Sequence, residues 1–370
     1  MIYDFLVIGA GISGASVAAE LSKSGSVVVL EAESSPGYHS TGRSAALFTP
    51  NYGPDLVRNI SRLSYDFLKN PPEDFTNNNL LAARGMMSVA MGQPLSKLNP
   101  LVDAGKGEIE LIDKDQTLQL APFLNPDSLQ GAAYERAVED IDVDALHQGF
   151  LKALSRAGGQ LRVNMAVTGL SRNQGVWEIK AGDEILRSRI VVNAAGAWAD
   201  SIGKMAGLRP IQLSPKRRSA ILVDAPENSN LARVPAMDFV GVDNYIKPEQ
   251  TRLMVSPGDA VPVEPQDIQV DDYDIAVLVD WLESTTSISV NRVDHQWAGL
   301  RSFVPDGLPV VGFAPQLEGF FWLAGQGGYG IMMAPSLGRA SAELILRDRL
   351  PKDFTDRGIK REFLSPARLN

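Results

Sequence analysis

A strand, a glycine turn and a helix open this chain, and no other feature narrows so far what it can fold into. The apolar run Phe5-Leu6-Val7-Ile8 leads directly into Gly9-Ala10-Gly11-Ile12-Ser13-Gly14. An amphipathic stretch then reaches about Lys23, and a second apolar run, Val27-Val28-Val29-Leu30, follows. A G-x-G-x-x-G spacing means little alone, but between a strand and a helix each glycine has a physical task. Gly9 permits the tight turn, Gly11 lets a pyrophosphate approach the backbone at the helix N-terminus, and Gly14 lets helix and strand pack closely. Glu31 stands 20 residues after Gly11, at the end of the second run, where a carboxylate can accept hydrogen bonds from a ribose.

Composition removes several alternatives. With 370 residues, 44% hydrophobic and 21% charged, the chain buries a sizeable core and makes two domains or one large α/β unit. Its 35 Lys and Arg against 44 Asp and Glu give a net charge of −9, with no run of like charges, so a nucleic-acid backbone is not an expected partner. The absence of cysteine excludes disulfides, thiolate metal sites, cysteine nucleophiles and any cysteinyl link to a cofactor. The three histidines, His39, His147 and His295, lie far apart and form no metal-binding motif, so no metal is expected. No stretch approaches the roughly 20 apolar residues of a membrane span, and Met1-Ile2-Tyr3-Asp4 lacks the basic start of a signal peptide. The expectation is a cytoplasmic protein with no integral membrane segment.

Further along, a Gly/Ser/Pro-rich link over 34–42 precedes helical spacing at 54–69 and short strands at 86–91 and 109–113. From residue 142 the pattern predicts a helix over 142–156 stopped by Gly158-Gly159, a strand over 161–167 and a buried strand over 190–194. Residues 210–300 differ, with alternating segments at 219–223 and 287–293, many prolines and one helix over 272–284. That is the pattern of an antiparallel sheet inserted into an α/β domain. The end returns to the opening pattern, with a strand over 319–324, a glycine turn and a helix over 329–347. The predicted cofactor domain is discontinuous (1–50, 140–209 and 302–370), and 51–139 with 210–301 form the substrate domain.

The glycine turn after the last strand, Gly325-Gln326-Gly327-Gly328-Tyr329-Gly330, repeats the opening spacing. Only a helix and a polar tail follow it, so no second strand can offer an acid to a ribose. The positive end of that helix can instead face a flavin, where negative charge develops on reduction. An ordinary tight turn is the alternative. One N-terminal dinucleotide site plus a second glycine-rich helix start favours FAD over NAD, and without cysteine the FAD is expected to be non-covalent.

Four runs extend this reading: Gly37-Tyr38-His39-Ser40-Thr41-Gly42-Arg43-Ser44-Ala45-Ala46, Val191-Val192-Asn193-Ala194-Ala195-Gly196-Ala197-Trp198, Trp297-Ala298-Gly299-Leu300-Arg301 and Gly327-Gly328-Tyr329-Gly330. Together they resemble the D-amino-acid oxidase superfamily of FAD-dependent enzymes and, within it, the bacterial D-arginine dehydrogenases, which are broad D-amino-acid dehydrogenases. The resemblance spans nearly the whole chain and keeps the order of motifs. It implies a FAD-binding Rossmann-like domain with an inserted antiparallel-sheet substrate domain. It also implies FAD contacts from Ser13, Glu31, Ala32, Ser40, Thr41, Gly42, Arg43, Ser44, Ala45, Ala46, the backbone of Val167, Gly196, and the loop Gly327, Gly328, Tyr329, Gly330, Ile331 and Met332. In the same way it implies that Arg218 and Arg301 hold a substrate carboxylate, that Tyr52 and Tyr245 close the pocket, and that Gly328 belongs with them. A guanidinium fork suits a planar carboxylate and stays charged, and a tyrosine supplies both a wall and a hydroxyl donor. Read without the resemblance, each arginine is more ordinary as half of a surface ion pair. His39 reads as a local hydrogen-bonding group, His147 and His295 as structural, Trp198 as core, and Met332 and Met333 as packing against the flavin ring.

The reaction implied is oxidation of a D-amino acid to its imino acid, which hydrolyses to a 2-oxo acid and ammonia. The expected partners are that small substrate and an electron acceptor, oxygen or a quinone-type compound. Two other readings stay open: a secondary-amine oxidase of the sarcosine or glycine-oxidase kind, and a non-catalytic FAD-binding redox protein. Leu47 and Met86 stand where the D-arginine dehydrogenases carry a histidine and an acid, so uncharged or apolar D-amino acids are the expected preference. The alternative is that Asp238 or Asp243 takes over as the acid.

Overall fold

The computed structural model describes residues 1–226 and 230–369. Its first layer is an eight-stranded sheet running Val167–Asn173, Val176–Ala181, Glu184–Asn193, Ile2–Ile8, Val27–Leu30 and Gln160–Arg162. Phe320–Ala324 joins the far half of Glu184–Asn193, and Val310–Phe313 pairs beyond it. Ile2–Ile8 is parallel to both of its neighbours, which requires cover on both faces and explains its near-continuous apolar sequence. Phe5 and Val7 pack into the helical core on one face, while Leu6 and Ile8 join Trp177 and Trp322 on the other.

Helices Ile12–Leu21, Asp55–Lys69, Val143–Arg156 and Gly330–Arg347 cover the first face. The first and last of these cross closely because Gly338 has no side chain: a Cβ there would lie 2.8 Å from the Cβ of Ser16. Val143–Arg156 starts where Asp142 accepts the Ala145 N–H at 2.8 Å, a side-chain cap that replaces a missing helical partner.

A second eight-stranded sheet runs His295–Phe303, Ser214–Asp224, Arg252–Ser256, Tyr245–Glu249, Ala236–Phe239, Met86–Met91, Leu129–Glu135 and Ile109–Asp113. Met237, Ile246, Val255 and Ile221 turn inward from alternate positions to meet Ile275, Leu278 and Leu282 of helix Asp272–Thr285. The sheet is mixed rather than purely antiparallel, because Ala236–Phe239 runs parallel to Met86–Met91. A small third sheet, Leu47–Phe48, Glu139–Ile141 and Leu81–Ala83, bridges the layers.

Two predicted strands differ. The strand expected over 161–167 is two strands, Gln160–Arg162 and Val167–Asn173, separated by a turn with Asn164 at φ 55°. The amides of Asn164 and Met165 donate there to the carbonyls of Glu33 and Glu31. The segment 287–293 is irregular, since the Ser287 amide donates to Phe123 O and the Val290 amide to Glu283 Oε1, leaving no ladder to join. Among the described residues, no helix is long and apolar enough to cross a membrane, and no group of three or more His, Asp or Glu side chains could hold a metal ion.

Candidate cofactor cleft and carboxylate clamp

A cleft of about 460 Å³ opens between the two large sheets and follows both glycine turns. At the first turn Gly9 has φ 98°, and a Cβ on it would lie 2.5 Å from Ala194 O. Gly14 is tighter, with a Cβ position only 1.8 Å from Gly9 O. Helix Ile12–Leu21 has Gly11 at its N-cap, with no side-chain cap and no acid in its first turn, so its positive end faces the cleft. The Ile12 amide donates to Thr41 Oγ1 at 3.0 Å, tying the turn to the segment after the link.

Glu31 is held for recognition rather than left loose. The Ala10 amide donates to its Oε2 at 2.8 Å and the Glu33 amide to its Oε1 at 3.0 Å, while the residue lines the cleft wall. A carboxylate accepts about four hydrogen bonds, so capacity for ribose hydroxyls remains. His147 donates through Nε2 to Ala10 O at 2.8 Å and so braces the same turn from behind. Burial pulls its imidazole below the ordinary value, the Ala10 bond opposing.

The second turn meets the first directly. Ser13 Oγ donates to Gln326 Oε1 at 2.6 Å. Gly327 has φ 54°, and a Cβ there would lie 2.3 Å from the Phe303 ring. The segment of Ser40 to Arg43 is fastened to strand His295–Phe303: Ser40 Oγ donates to Leu300 O at 2.7 Å, and Trp297 Nε1 donates to Arg43 O at 3.2 Å.

Opposite this groove, Arg217 and Arg218 leave one strand in opposite directions. Arg217 pairs with Asp259 at 2.9 Å and with Asp274. Arg218 lines the cleft with a buried Nε that has no hydrogen-bond partner. Strand register sets Arg218 against Gly299, which places Arg301 two residues further along the same face. Arg301 lies over Gly328, where a Cβ would come within 3.2 Å of Nη1. Among the described residues no carboxylate ion-pairs with Arg218 or Arg301. Burial and then the charge of Arg301 lower the Arg218 pKa, against Tyr245, Tyr52 and Asp259. Tyr52 is half-exposed, with its ring 5.2 Å from that of Tyr329. Burial and Tyr52 raise the Tyr329 hydroxyl pKa, and Arg301 opposes.

The cleft brings together Gly9, Gly11, Ser13, Glu31, Ala32, Ser40, Thr41, Arg43, Ser44, Ala45, Val167, Gly196, Gly327, Gly328, Gly330 and Ile331, with Arg218, Tyr245 and Arg301. Other expected residues lie off its wall. Gly14 and Gly42 serve tight backbone packing, against Gly9 O and Gly37 O respectively. Ala46, Tyr329 and Met332 belong to the helical core or its edge, and Met333 is fully buried there instead of facing the cleft. Tyr52, Leu47 and Met86 are not among the cleft-lining residues: Leu47 pairs with Asp140, and Met86 lies between Glu135 and Ala236.

Trp198, expected in the core, is half-buried on the cleft wall with its ring 4.6 Å from that of His39. The turn of Gly196, at φ 53°, carries it out of the strand it follows. His39 bonds Glu33 at 2.9 Å, and His295 is exposed against Trp297. Sequence reasoning did not find Met165, Met205, Trp297 or Gln326 as cleft residues. Of these, Trp297 and Gln326 stood inside motifs already quoted, and Met165 and Met205 carried no local signal.

The cleft suits FAD on these observations: two backbone cradles that a Cβ would fill, a fixed acid, and an orphaned guanidinium nitrogen across the groove. The model of the DAO family, described as FAD dependent oxidoreductase, matches residues 4–344. Human mitochondrial sarcosine dehydrogenase is 26% identical over 384 residues, covering 97% of this chain and 41% of that enzyme. The chain spans about two-fifths of the length of the sarcosine and dimethylglycine dehydrogenases it matches. Glycine oxidase of Bacillus licheniformis is 23% identical, with 96% of each chain covered. The crystal structure of glycine oxidase from Geobacillus kaustophilus superposes with a TM-score of 0.82 at 22% identity, over 97% of this chain and 98% of that one. The FAD-bound L-alpha-glycerophosphate oxidase of Mycoplasma pneumoniae gives 0.81 at 16% identity, over 98% of each.

Proposed function

The chain belongs to the DAO family of FAD-dependent oxidoreductases, and from that premise we propose that it oxidises D-amino acids at the bond between nitrogen and α-carbon, giving a 2-oxo acid and ammonia. FAD is its cofactor and is held non-covalently. The reading is carried by Arg218 and Arg301, two guanidinium groups on one sheet face at the cleft with no carboxylate of their own among the described residues. A desolvated cation without a partner is costly, so such a pair calls for an anionic ligand.

FAD when bound accepts the hydride that leaves the α-carbon. Arg218 and Arg301 bind the substrate carboxylate and orient the α-carbon, and Gly328 leaves Arg301 room to do so. Their uncompensated charge disfavours the ammonium form of the substrate and leaves the amine lone pair free, so no side-chain base is required. Tyr245 adds a wall and a hydroxyl on the cleft, and Tyr52 packs with its ring 5.2 Å from that of Tyr329. The imino acid released reacts with water to give the 2-oxo acid and ammonia. The preference for uncharged or apolar side chains rests on the apolar Leu47 and Met86 standing where the D-arginine dehydrogenases carry a histidine and an acid, although both lie off the cleft wall.

A second reading draws on the relatives, whose names put sarcosine, dimethylglycine or glycine in this position. Anaerobic mixing of the holoprotein with D-amino acids, L-amino acids, glycine and sarcosine tests both, with product analysis. Flavin bleaching by D-amino acids with ammonia release is the expected result. Bleaching by sarcosine alone, with methylamine or formaldehyde formed, replaces the first reading by the second.

A further inference from the structure

Peroxides attack a folded chain mainly at sulfur, and this chain has no cysteine to react first. Its ten methionines are therefore the exposed question, and burial sorts them. Met87, Met237 and Met333 are fully buried, while Met254 and Met332 are 2% and 3% exposed. Met86, Met91 and Met165 are half-buried. Two stand open to solvent, Met1 and Met205, the latter 42% exposed. Met1 lies off the cleft, whereas Met205 is on its wall.

A short helix holds Met205 in that place. The turn of Gly196 leads through Trp198 into helix Ala199–Met205, whose Ala199 and Ile202 join the core that Met165 and Val167 border. Met205 follows Ile202 by three residues, so the two share one side of the helix, and both line the cleft. The helix packs on strand Val167–Asn173, and the Met165 amide just before that strand donates to Glu31 O. Met205 thus belongs to the end of the cleft marked by the acid suited to a ribose.

The two cleft sulfurs at this end differ in their surroundings. Arg162 Nη2 donates to Met165 Sδ at 3.9 Å, which occupies a lone pair that an oxidant would need. Met205 is the more open of the pair. An unoxidised thioether suits a cofactor wall, because it is apolar, polarisable and adaptable against an aromatic ring. A sulfoxide is polar and chiral, and its oxygen must find water or a donor.

We propose that Met205 is a site of oxidative modification, through which hydrogen peroxide loosens the hold of the cleft on FAD. The thioether sulfur attacks one peroxide oxygen, an S–O bond forms as the O–O bond breaks, and the other oxygen leaves with both protons as water. Sulfur gives up two electrons and the peroxide takes them. The inference needs only FAD in the cleft, so it stands whichever amine is the substrate.

The test treats the holoprotein with hydrogen peroxide, locates the added oxygen by peptide mass spectrometry and follows the fluorescence of released flavin during dialysis. Met205 is oxidised ahead of Met86, Met91 and Met165, and FAD release quickens about two- to tenfold, the range of one lost sulfur–aromatic contact. The Met205→Leu protein releases FAD at the same rate before and after peroxide. Met205→Gln carries a polar oxygen without any oxidant, and it releases FAD faster than Met205→Leu. Oxidation of Met205 no sooner than the half-buried methionines overturns the proposal, as does oxidation of Met205 with FAD release unchanged. Equal acceleration by peroxide in Met205→Leu overturns it as well, by placing the effect on another residue.

Discussion

Ser13 and Gln326 join the two glycine turns: the serine hydroxyl donates to the glutamine side-chain oxygen at 2.6 Å. The pair closes one backbone groove from two helix starts that are remote in sequence. Gln326→Leu removes the acceptor and leaves a hydroxyl without its partner, a change on the order of 1 kcal/mol. The expected outcome is several-fold weaker FAD retention with unchanged secondary structure, read by fluorescence of released flavin during dialysis. Equal retention would show that the turns hold their places independently.

Glu31 makes a stronger demand. Glu31→Gln keeps the shape but removes the charge that two backbone amides and the ribose hydroxyls share, about 1.5–3 kcal/mol. FAD affinity should fall by roughly tenfold to a hundredfold, measured by titrating the FAD-free protein. The same preparations check the mode of attachment: after acid precipitation the yellow chromophore is expected in the supernatant.

Arg218→Met and Arg301→Met should each raise KM by about two orders of magnitude, since a charge-paired contact in a closed site is worth about 2–5 kcal/mol. The flavin spectrum should persist. Tyr52→Phe and Tyr245→Phe keep their rings and should change KM far less. Near-normal KM in both arginine variants would remove the clamp from the mechanism.

His147 ties stability to pH. Burial lowers its folded pKa below the ordinary 6.5, so its contribution is fully present above about that pH. As pH falls from there through the lowered folded value, the unfolded chain takes up a proton that the folded one resists, and stability is lost. Thermal unfolding of the FAD-free protein from about pH 8 to about pH 5 should therefore show a steeper fall in Tm for wild type than for His147→Gln. Parallel curves would place the acid sensitivity elsewhere.

Legibility followed the range of the interactions. The opening strand, turn and helix were readable because each residue's role there is local, and Asp55–Lys69, Met86–Met91 and Ile109–Asp113 carried clear periods. Asn164 broke a predicted strand through a left-handed φ that its apolar neighbours do not announce. The parallel pairing of Ala236–Phe239 with Met86–Met91 has no local signature at all, and it is this pairing that sets Asp238 beside Ser88. Trp198 misled for a related reason: its residue type favours burial, but the turn of Gly196 aims it at the cleft. The resemblance picked Arg218 from two adjacent arginines; the salt bridges of Arg217 supply the physical ground.

The interleaving of the first sheet also sets a timetable for synthesis. Ile2–Ile8 emerges from the ribosome long before its partner Glu184–Asn193, and Phe320–Ala324, which leads to the second glycine turn, follows later still. At about 5–20 residues per second the delay is roughly tens of seconds. During that interval an apolar strand waits with an unpaired edge, a natural client for holding chaperones. The groove exists only once helix Gly330–Arg347 has docked, so flavin binding follows the synthesis of that helix.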